Sequence, residues 1–224
     1  MKPKLFDSWA SRYDGWFETP IGALVKQYES SLLLEMLNPL PGESILDVGC
    51  GSGLFTNDVM TKRVKITGVD LSQPMLRNAI DKIPAYAFTG TCADMCALPF
   101  ADNSFDKTFS MTAIEFVEDA KKAVAELDRV TRKGGIVVLT TLNSLSPWAE
   151  RRLVAAKNGH ALFQKVFFRS PDDMRALIPS DPVVKTAIHF QKNSFPADVP
   201  LIERAGIKEQ ADTGAFLAVK WSVE

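Results

Sequence analysis

Residues 45–53 read ILDVGCGSG, an apolar strand-like run that passes an acid and then three glycines spaced by two. The apolar start suits a strand, and the glycines suit a strand-to-helix turn where backbone can approach a ligand closely. The usual ligand at such a turn is a dinucleotide pyrophosphate, drawn to exposed amides at the positive end of the helix. Asp47 argues against a phosphate. Its carboxylate, two residues before the first glycine, repels an anion and attracts an ammonium group such as the amine of an amino-acid ligand. The spacing agrees: Gly49, Gly51 and Gly53 give G-x-G-x-G, whereas the third glycine of a dinucleotide fingerprint would fall at Leu54.

Working outward, strand-like and helix-like segments alternate from Glu43 onward, the pattern of a mostly parallel sheet with helices on both faces. Strands are expected near 44–48, 64–70, 85–91, 105–111 and 135–142, with two more at 183–190 and 213–221. Helices fit at 55–62, 73–83 and 119–132, with Gly134 and Gly135 ending the last. Residues 1–38 carry Phe6, Trp9, Tyr13, Trp16 and Phe17 at roughly helical spacing, then a second helical run over 24–37. These rings serve either as ordinary core over the sheet edge or as a lid over a ligand. Residues 143–180 form the longest insertion between strands and contain Pro147, Trp148, Arg151, Arg152, His160 and Phe163. They follow the C-terminal end of a strand, where open α/β sheets bind ligands.

Four segments occur in order: ILDVGCGSG, GVDLS, ADMCALPFADNSFD and RVTRKGGIVVLTTLN. With them the chain resembles the class I S-adenosylmethionine-dependent methyltransferases. It is most similar to the type 11 branch, which includes ubiquinone and menaquinone biosynthesis C-methyltransferases. The resemblance covers residues 5–142, including the opening FDSWASRYDGWFETPIG. It implies an α/β, Rossmann-like fold with a mostly parallel seven-stranded sheet and an antiparallel last strand. A single domain over 1–224 is expected, with an N-terminal helical lid (1–38), a cofactor-binding core (43–142), a substrate-side insertion (143–180) and C-terminal strands (181–224). The resemblance also implies that Tyr13 approaches the cofactor from the lid and that Gly49, Cys50 and Gly51 line its methionine end. By the same resemblance Met111 lies beside that end and Phe116 packs near the adenine.

A cofactor with an amino-acid tail, a ribose and an adenine needs three kinds of contact, and successive strand ends offer them. Asp47 with the glycine turn suits the amino-acid tail. Asp70, ending the second strand in TGVDLS, is placed to accept from both ribose hydroxyls. Asp94, after the third strand, is placed to accept from the exocyclic amine of adenine, with the Met95 amide nearby. Leu71, Met75 and Met95 supply apolar surface for the base. An aspartate after a strand is often only a turn or helix cap, and Asp70 followed by Ser72 and Pro74 also fits that role. The combination of motifs outweighs the bland reading of each member.

Composition narrows the partners. A net charge of −1 gives no broad footprint for nucleic acid or anionic membrane, so small or protein substrates are favoured. The longest apolar stretch, 135–142, is far short of the roughly 20 residues that span a bilayer. Cys50, Cys92 and Cys96 form no C-x-x-C pair; with no signal peptide they point to a reducing cytoplasm, and no metal ligand is assigned. Methyl transfer from a sulfonium needs alignment and exclusion of water, and a base only where the acceptor keeps its proton. Glu115, His160 and His189 are the candidates for such a base, and none is singled out as a catalytic residue. After the fourth strand many relatives carry a His followed by His or Trp, where this chain has Glu115 and Phe116. The segment Ser110-Met111-Thr112-Ala113 lacks the Asn/Asp-Pro-Pro-aromatic pattern of nucleobase amino-methylating enzymes, and no cysteine sits there for pyrimidine C5 chemistry. The expected function is methylation of a small organic acceptor by in-line displacement. The alternatives are a protein or RNA methyltransferase and a non-catalytic protein binding S-adenosylmethionine or S-adenosylhomocysteine.

Overall fold

A computed structural model describes residues 4–224. Its centre is a seven-stranded sheet of order β3-β2-β1-β4-β5-β7-β6. The strands are β1 (Ser44–Val48), β2 (Lys65–Asp70), β3 (Phe88–Cys92), β4 (Phe105–Ser110), β5 (Thr131–Leu142), β6 (Val183–Ala187) and β7 (Phe216–Ser222). The first five pair in parallel, and β7 runs antiparallel between β5 and β6, as the resemblance implies. The order reverses between β1 and β4, so a crevice opens at the C-terminal ends of those strands. Side chains alternate across the sheet: Ile45 joins the core beneath α1 (Pro20–Leu37), α2 (Thr56–Met60), α3 (Gln73–Lys82) and α7 (Val199–Lys208). Leu46 and Val48 join the opposite core beneath α4 (Ala120–Val130) and α6 (Pro171–Leu177). The remaining helix, α5 (Pro147–Lys157), stands beyond the C-terminal end of β5. No helix among the described residues is long and apolar enough to cross a membrane.

Helix starts follow local chemistry. Thr19, Ser72, Asp119 and Ser146 each accept a backbone amide at an N-terminus, and Pro lies in the first turn of α1, α3 and α5. Helix α1 starts at Pro20 rather than 24, β6 ends at Ala187 rather than 190 and β7 starts at Phe216 rather than 213, and three further differences from the sequence reading have local causes. Strand β3 starts at Phe88 rather than 85 because the Ala87 amide closes a turn onto the Pro84 carbonyl. Helix α4 stops at Val130, and Gly134 and Gly135 do not end it. Buried Thr131 already belongs to β5, its hydroxyl 2.6 Å from that of Thr108 and 2.7 Å from the Leu127 carbonyl. The glycines instead lie in an irregularity of β5, where Gly134 takes φ +72° and the register against β4 shifts between Phe105 and Lys107. The aromatic N-terminal stretch forms two short 3-10 helices, Asp7–Trp9 and Asp14–Glu18, rather than one long helix.

Asn143 closes β5 with its side chain. Fully buried, it donates to the carbonyls of Asp212 (2.6 Å) and Gly214 (2.8 Å) and accepts from the Leu145 amide at 3.0 Å. It thereby fixes the start of the insertion to the approach of β7. Replacing Asn143 with Ala orphans two carbonyls and an amide. We expect a loss of about 2–4 kcal/mol in urea unfolding at unchanged m-value, and a loss below about 1 kcal/mol would show that water replaces the amide.

Candidate active site

The glycine turn after β1 is held by its own amides. Gly49 and Cys50 both donate to the Val69 carbonyl, at 2.7 and 2.9 Å, and Gly51 donates to Asp70 Oδ2 at 2.8 Å. Gly49, Gly51 and Gly53 all take positive φ, +77°, +55° and +78°. A side chain at Gly49 would sit 2.5 Å from Ala113 Cβ, so this turn admits only glycine for both conformation and space. Asp70 Oδ1 accepts from the Ser72 amide at 2.7 Å, so the carboxylate ties the turn to the start of α3. One bond on each oxygen leaves lone pairs on both for ligand hydroxyls.

Asp47 is buried at 2% exposure, and its Oδ2 accepts from Thr56 Oγ1 at 2.6 Å while Oδ1 has no partner. Burial pushes its carboxyl up to about 7, against the Thr56 bond that lowers it and with neighbouring Asp70 raising it further. Asp70 is likewise raised, burial outweighing the amides of Ser72 and Gly51. Ser110 Oγ, another buried atom with no partner among the described residues, lies against Gly49. Two orphaned oxygens beside amides and acids fit an ammonium-bearing tail, which supplies the missing donors.

Of the other residues singled out from sequence, Cys50 is buried in the turn and Met75 packs its methyl against Gly51. Leu71 is half exposed beyond β2, and Met111 is buried at the end of β4 with the Thr140 hydroxyl 3.6 Å from its sulfur. Asp94 is exposed, Oδ1 accepting from the Cys96 amide at 2.8 Å, beside buried Met95. Phe116 meets Phe6 edge-on at 4.8 Å between centroids, and Tyr13 meets Phe6 at 6.4 Å. The N-terminal segment is tied across these strand ends. Ser72 donates to Asp7, Ser52 to Asp14 and Asn78 to the Ala10 carbonyl, and Lys82 pairs with Asp14.

A cavity of about 530 Å³ opens beside the glycine turn, and neither the glycines nor Asp47 nor Asp70 line it. Tyr13, Trp16, Phe116, Trp148 and Phe163 supply aromatic walls, and Glu29, Glu115 and Arg152 supply the inner polar groups. Arg12, Arg151, His160 and Lys192 stand exposed among its lining. Burial pushes the carboxyl of Glu29 up to about 8, opposed by the charge of Arg152 and reinforced by that of Glu115. Glu115 is likewise pushed up to about 7, chiefly by burial, with Arg152 and Arg169 pulling the other way. Burial raises the Tyr13 hydroxyl too, with Glu29 and Glu115 adding to the rise and neighbouring Thr112 opposing it. Thr112 holds φ +44°, a left-handed position rare for a branched residue, with its amide donating to Thr140 Oγ1.

Sequence reasoning missed Glu29. Its signal was an acid four residues after Val25 and four before Leu33, on the apolar stripe of α1. Of the three base candidates, Glu115 and His160 line the cavity, but His189 does not. Its ring packs against Gly206 of α7 beside a separate hollow with Phe190, Gln191 and Ile202, so it is removed from this site.

The sheet order and the glycine turn after β1 are those of the class I methyltransferase fold. Residues 46–139 match the type 11 methyltransferase domain. The chain is 38% identical over 122 residues to the malonyl-[acyl-carrier protein] O-methyltransferase of Pseudescherichia vulneris, covering 54% of this chain and 48% of that protein. It thus spans about half the length of the curated relatives it matches. In fold it is similar to a S-adenosylmethionine-dependent methyltransferase of Thermotoga maritima, with a TM-score of 0.72, 20% identity and 98% of each chain covered. It is similar also to Haemonchus contortus phosphoethanolamine N-methyltransferase 2, with a TM-score of 0.66, 18% identity, and 100% of this chain and 60% of that one covered.

The buried acids give stability a definite pH dependence. Unfolded, Glu29 releases its proton near the ordinary 4.5; folded, it keeps the proton to about 8. Between these values the unfolded state binds fewer protons, so stability is full below about 4.5 and falls as pH rises towards 8. Asp47 and Glu115 act in the same direction. Thermal melts at pH 5 and 8 should show this decline, and Glu29→Gln should regain about 1 kcal/mol at pH 8, or about 2–4 °C in Tm. Parallel pH profiles for the variant and the parent would show that Glu29 ionises freely in the folded protein.

Proposed function

We propose that this protein moves a methyl group from S-adenosylmethionine to a small organic acceptor held in the aromatic cavity. The observation that carries the reading is the cavity's position: it opens at the C-terminal ends of β4 and β5, beside a turn whose buried oxygens lack donors. Asp47 and Ser110 would take the ammonium of the amino-acid tail, with Gly49, Cys50 and Gly51 along the methionine end and Met111 beside it. The remaining lone pairs of Asp70 would take the ribose hydroxyls, and Asp94 the adenine amine. Leu71, Met75, Met95 and Phe116 would give the base its apolar surroundings, and Tyr13 would close the site from the N-terminal segment.

When bound, the cofactor supplies an electrophilic methyl group on a positively charged sulfur. The protein's own contribution is to align the acceptor and keep water out, which the strapped N-terminal segment and the rings of Trp16 and Trp148 support. Glu115 lies on the cavity wall with its carboxyl poised near neutrality, so it is able to take a proton from an acceptor that carries one. The cytoplasmic setting expected from cysteine usage belongs to the same proposal.

The direct test incubates the protein with methyl-labelled S-adenosylmethionine and host extract, with Asp70→Ala as the blank. Label in the acid-soluble fraction is expected; label confined to the precipitate would favour a macromolecular acceptor instead. In calorimetry, Asp70→Ala should weaken S-adenosylmethionine binding by roughly tenfold to hundredfold, and unchanged affinity in a folded variant would sink the ribose assignment. His160→Ala should leave cofactor affinity within about twofold, because His160 stands on the acceptor side against Phe163 and Trp9.

A further inference from the structure

We infer that the acceptor is an organic monocarboxylate and that Arg152 is the residue that anchors its carboxylate, an assignment that rests on the methyltransferase reading of this cavity. Arg152 projects from α5 into the cavity wall. Its Nη1 is closed off from solvent and has no hydrogen-bond partner, and none of the ion pairs among the described residues includes this side chain. The guanidinium lies 5.4 Å from the Trp148 ring centroid, and Trp148 is itself fixed by donating to the Phe190 carbonyl at 2.7 Å. A guanidinium carries only donors, and a shielded one without an acceptor costs several kcal/mol. The charges of Glu115 and Glu29 reach Arg152 without bonding it, so the missing partner is an acceptor oxygen, and a carboxylate oxygen is the strongest such partner for a guanidinium.

The surroundings decide between chemistries. Among the described residues two acids line the cavity, Glu29 and Glu115, and burial raises both so that each is partly protonated near pH 7. Against them stand Arg152 within and Arg12, Arg151 and Lys192 exposed, so the cavity presents excess positive charge to an entering ligand. An amine acceptor would meet repulsion from Arg152 and find its two carboxyl partners partly protonated. A phosphate dianion would need more than one interior cation, whereas a carboxylate matches a single guanidinium. Protonated Glu29 or Glu115 can add a hydrogen bond to the same carboxylate. The aromatic rings take the apolar remainder of the molecule, within about 530 Å³.

The test uses 3-phenylpropionate, its methyl ester and 3-phenylpropylamine, each titrated by protein-observed NMR into the full chain saturated with S-adenosylhomocysteine. The acid should bind at least tenfold more tightly than the ester or the amine. Arg152→Met, which keeps the length of the stem, should lose that tenfold while leaving ester affinity and S-adenosylhomocysteine affinity unchanged. Arg152→Lys, which keeps the charge but not the fork, should retain part of it. Glu150→Gln, at an exposed acid of the same helix that does not line the cavity, should leave the acid's preference in place. Acid binding no stronger than ester binding, a preference for the amine, or full acid affinity in folded Arg152→Met would overturn the assignment. Acid binding that depends on Arg152, together with no labelled product from any extract, would instead overturn the methyltransferase reading and keep the anchor.

Discussion

The molecule depends on one carboxylate bridging two turns. Asp70, at the end of β2, accepts the Gly51 amide on one oxygen and the Ser72 amide on the other, while the neighbouring Val69 carbonyl accepts from Gly49 and Cys50. These four bonds hold the exit of β1 against the exit of β2 at the point where the strand order reverses. They require three glycines in the left-handed region, so the backbone is strained for any other residue and open to a ligand on its free side. Because every donor is a backbone amide, the geometry of the turn relies on a single side-chain rotamer, that of Asp70. The cradle exists before a ligand arrives, and binding need not pay for ordering it.

What the sheet does not supply is closure. The N-terminal segment provides it through polar ties rather than a packed helix: Asp7 to Ser72 and Asp14 to Ser52 and Lys82 all land on the turns that follow β1 and β2 or on α3. Its rings meet one another and Phe116 and Phe55 edge-on. Ser52 and Ser72 are buried while their acidic partners are not, so these ties sit at the boundary of solvent, and hydrogen bonds of this kind to a charged group contribute about 1.5–3 kcal/mol each.

Legibility in the sequence followed the range of the interactions. The glycine turn, the acids at the ends of β1 and β2, and the helix starts at Thr19, Ser72, Asp119 and Ser146 are set by residues within a few positions of one another. Their spacing therefore carries the signal. The end of α4 was not readable, because Thr131 leaves the helix for a bond to Thr108, a partner set by strand pairing rather than by neighbours. His189 looked like any other loop histidine until the packing of α7 turned its ring away from the cavity. Glu29 was invisible for the same reason. Only the approach of Arg152 on α5 and Glu115 after β4 makes an acid on an apolar helix face part of a site.

The two halves of the site also differ in where their residues come from. The residues proposed for the cofactor side, Asp47, Asp70, Asp94 and Met111, all fall within the matched domain, residues 46–139. Of the three inner polar groups of the cavity only Glu115 does; Glu29 belongs to the helix before the domain and Arg152 to the helix after it. Each of these charges is tuned by the others, since Arg152 lowers both acids while each acid raises the other or Arg152. Moving α5 or α1 by even a fraction of a turn would change the charge the cavity offers without touching the glycine turn. The matched domain therefore carries the geometry of β1 and β2, whereas the charge inside the cavity is set largely by two helices that flank it.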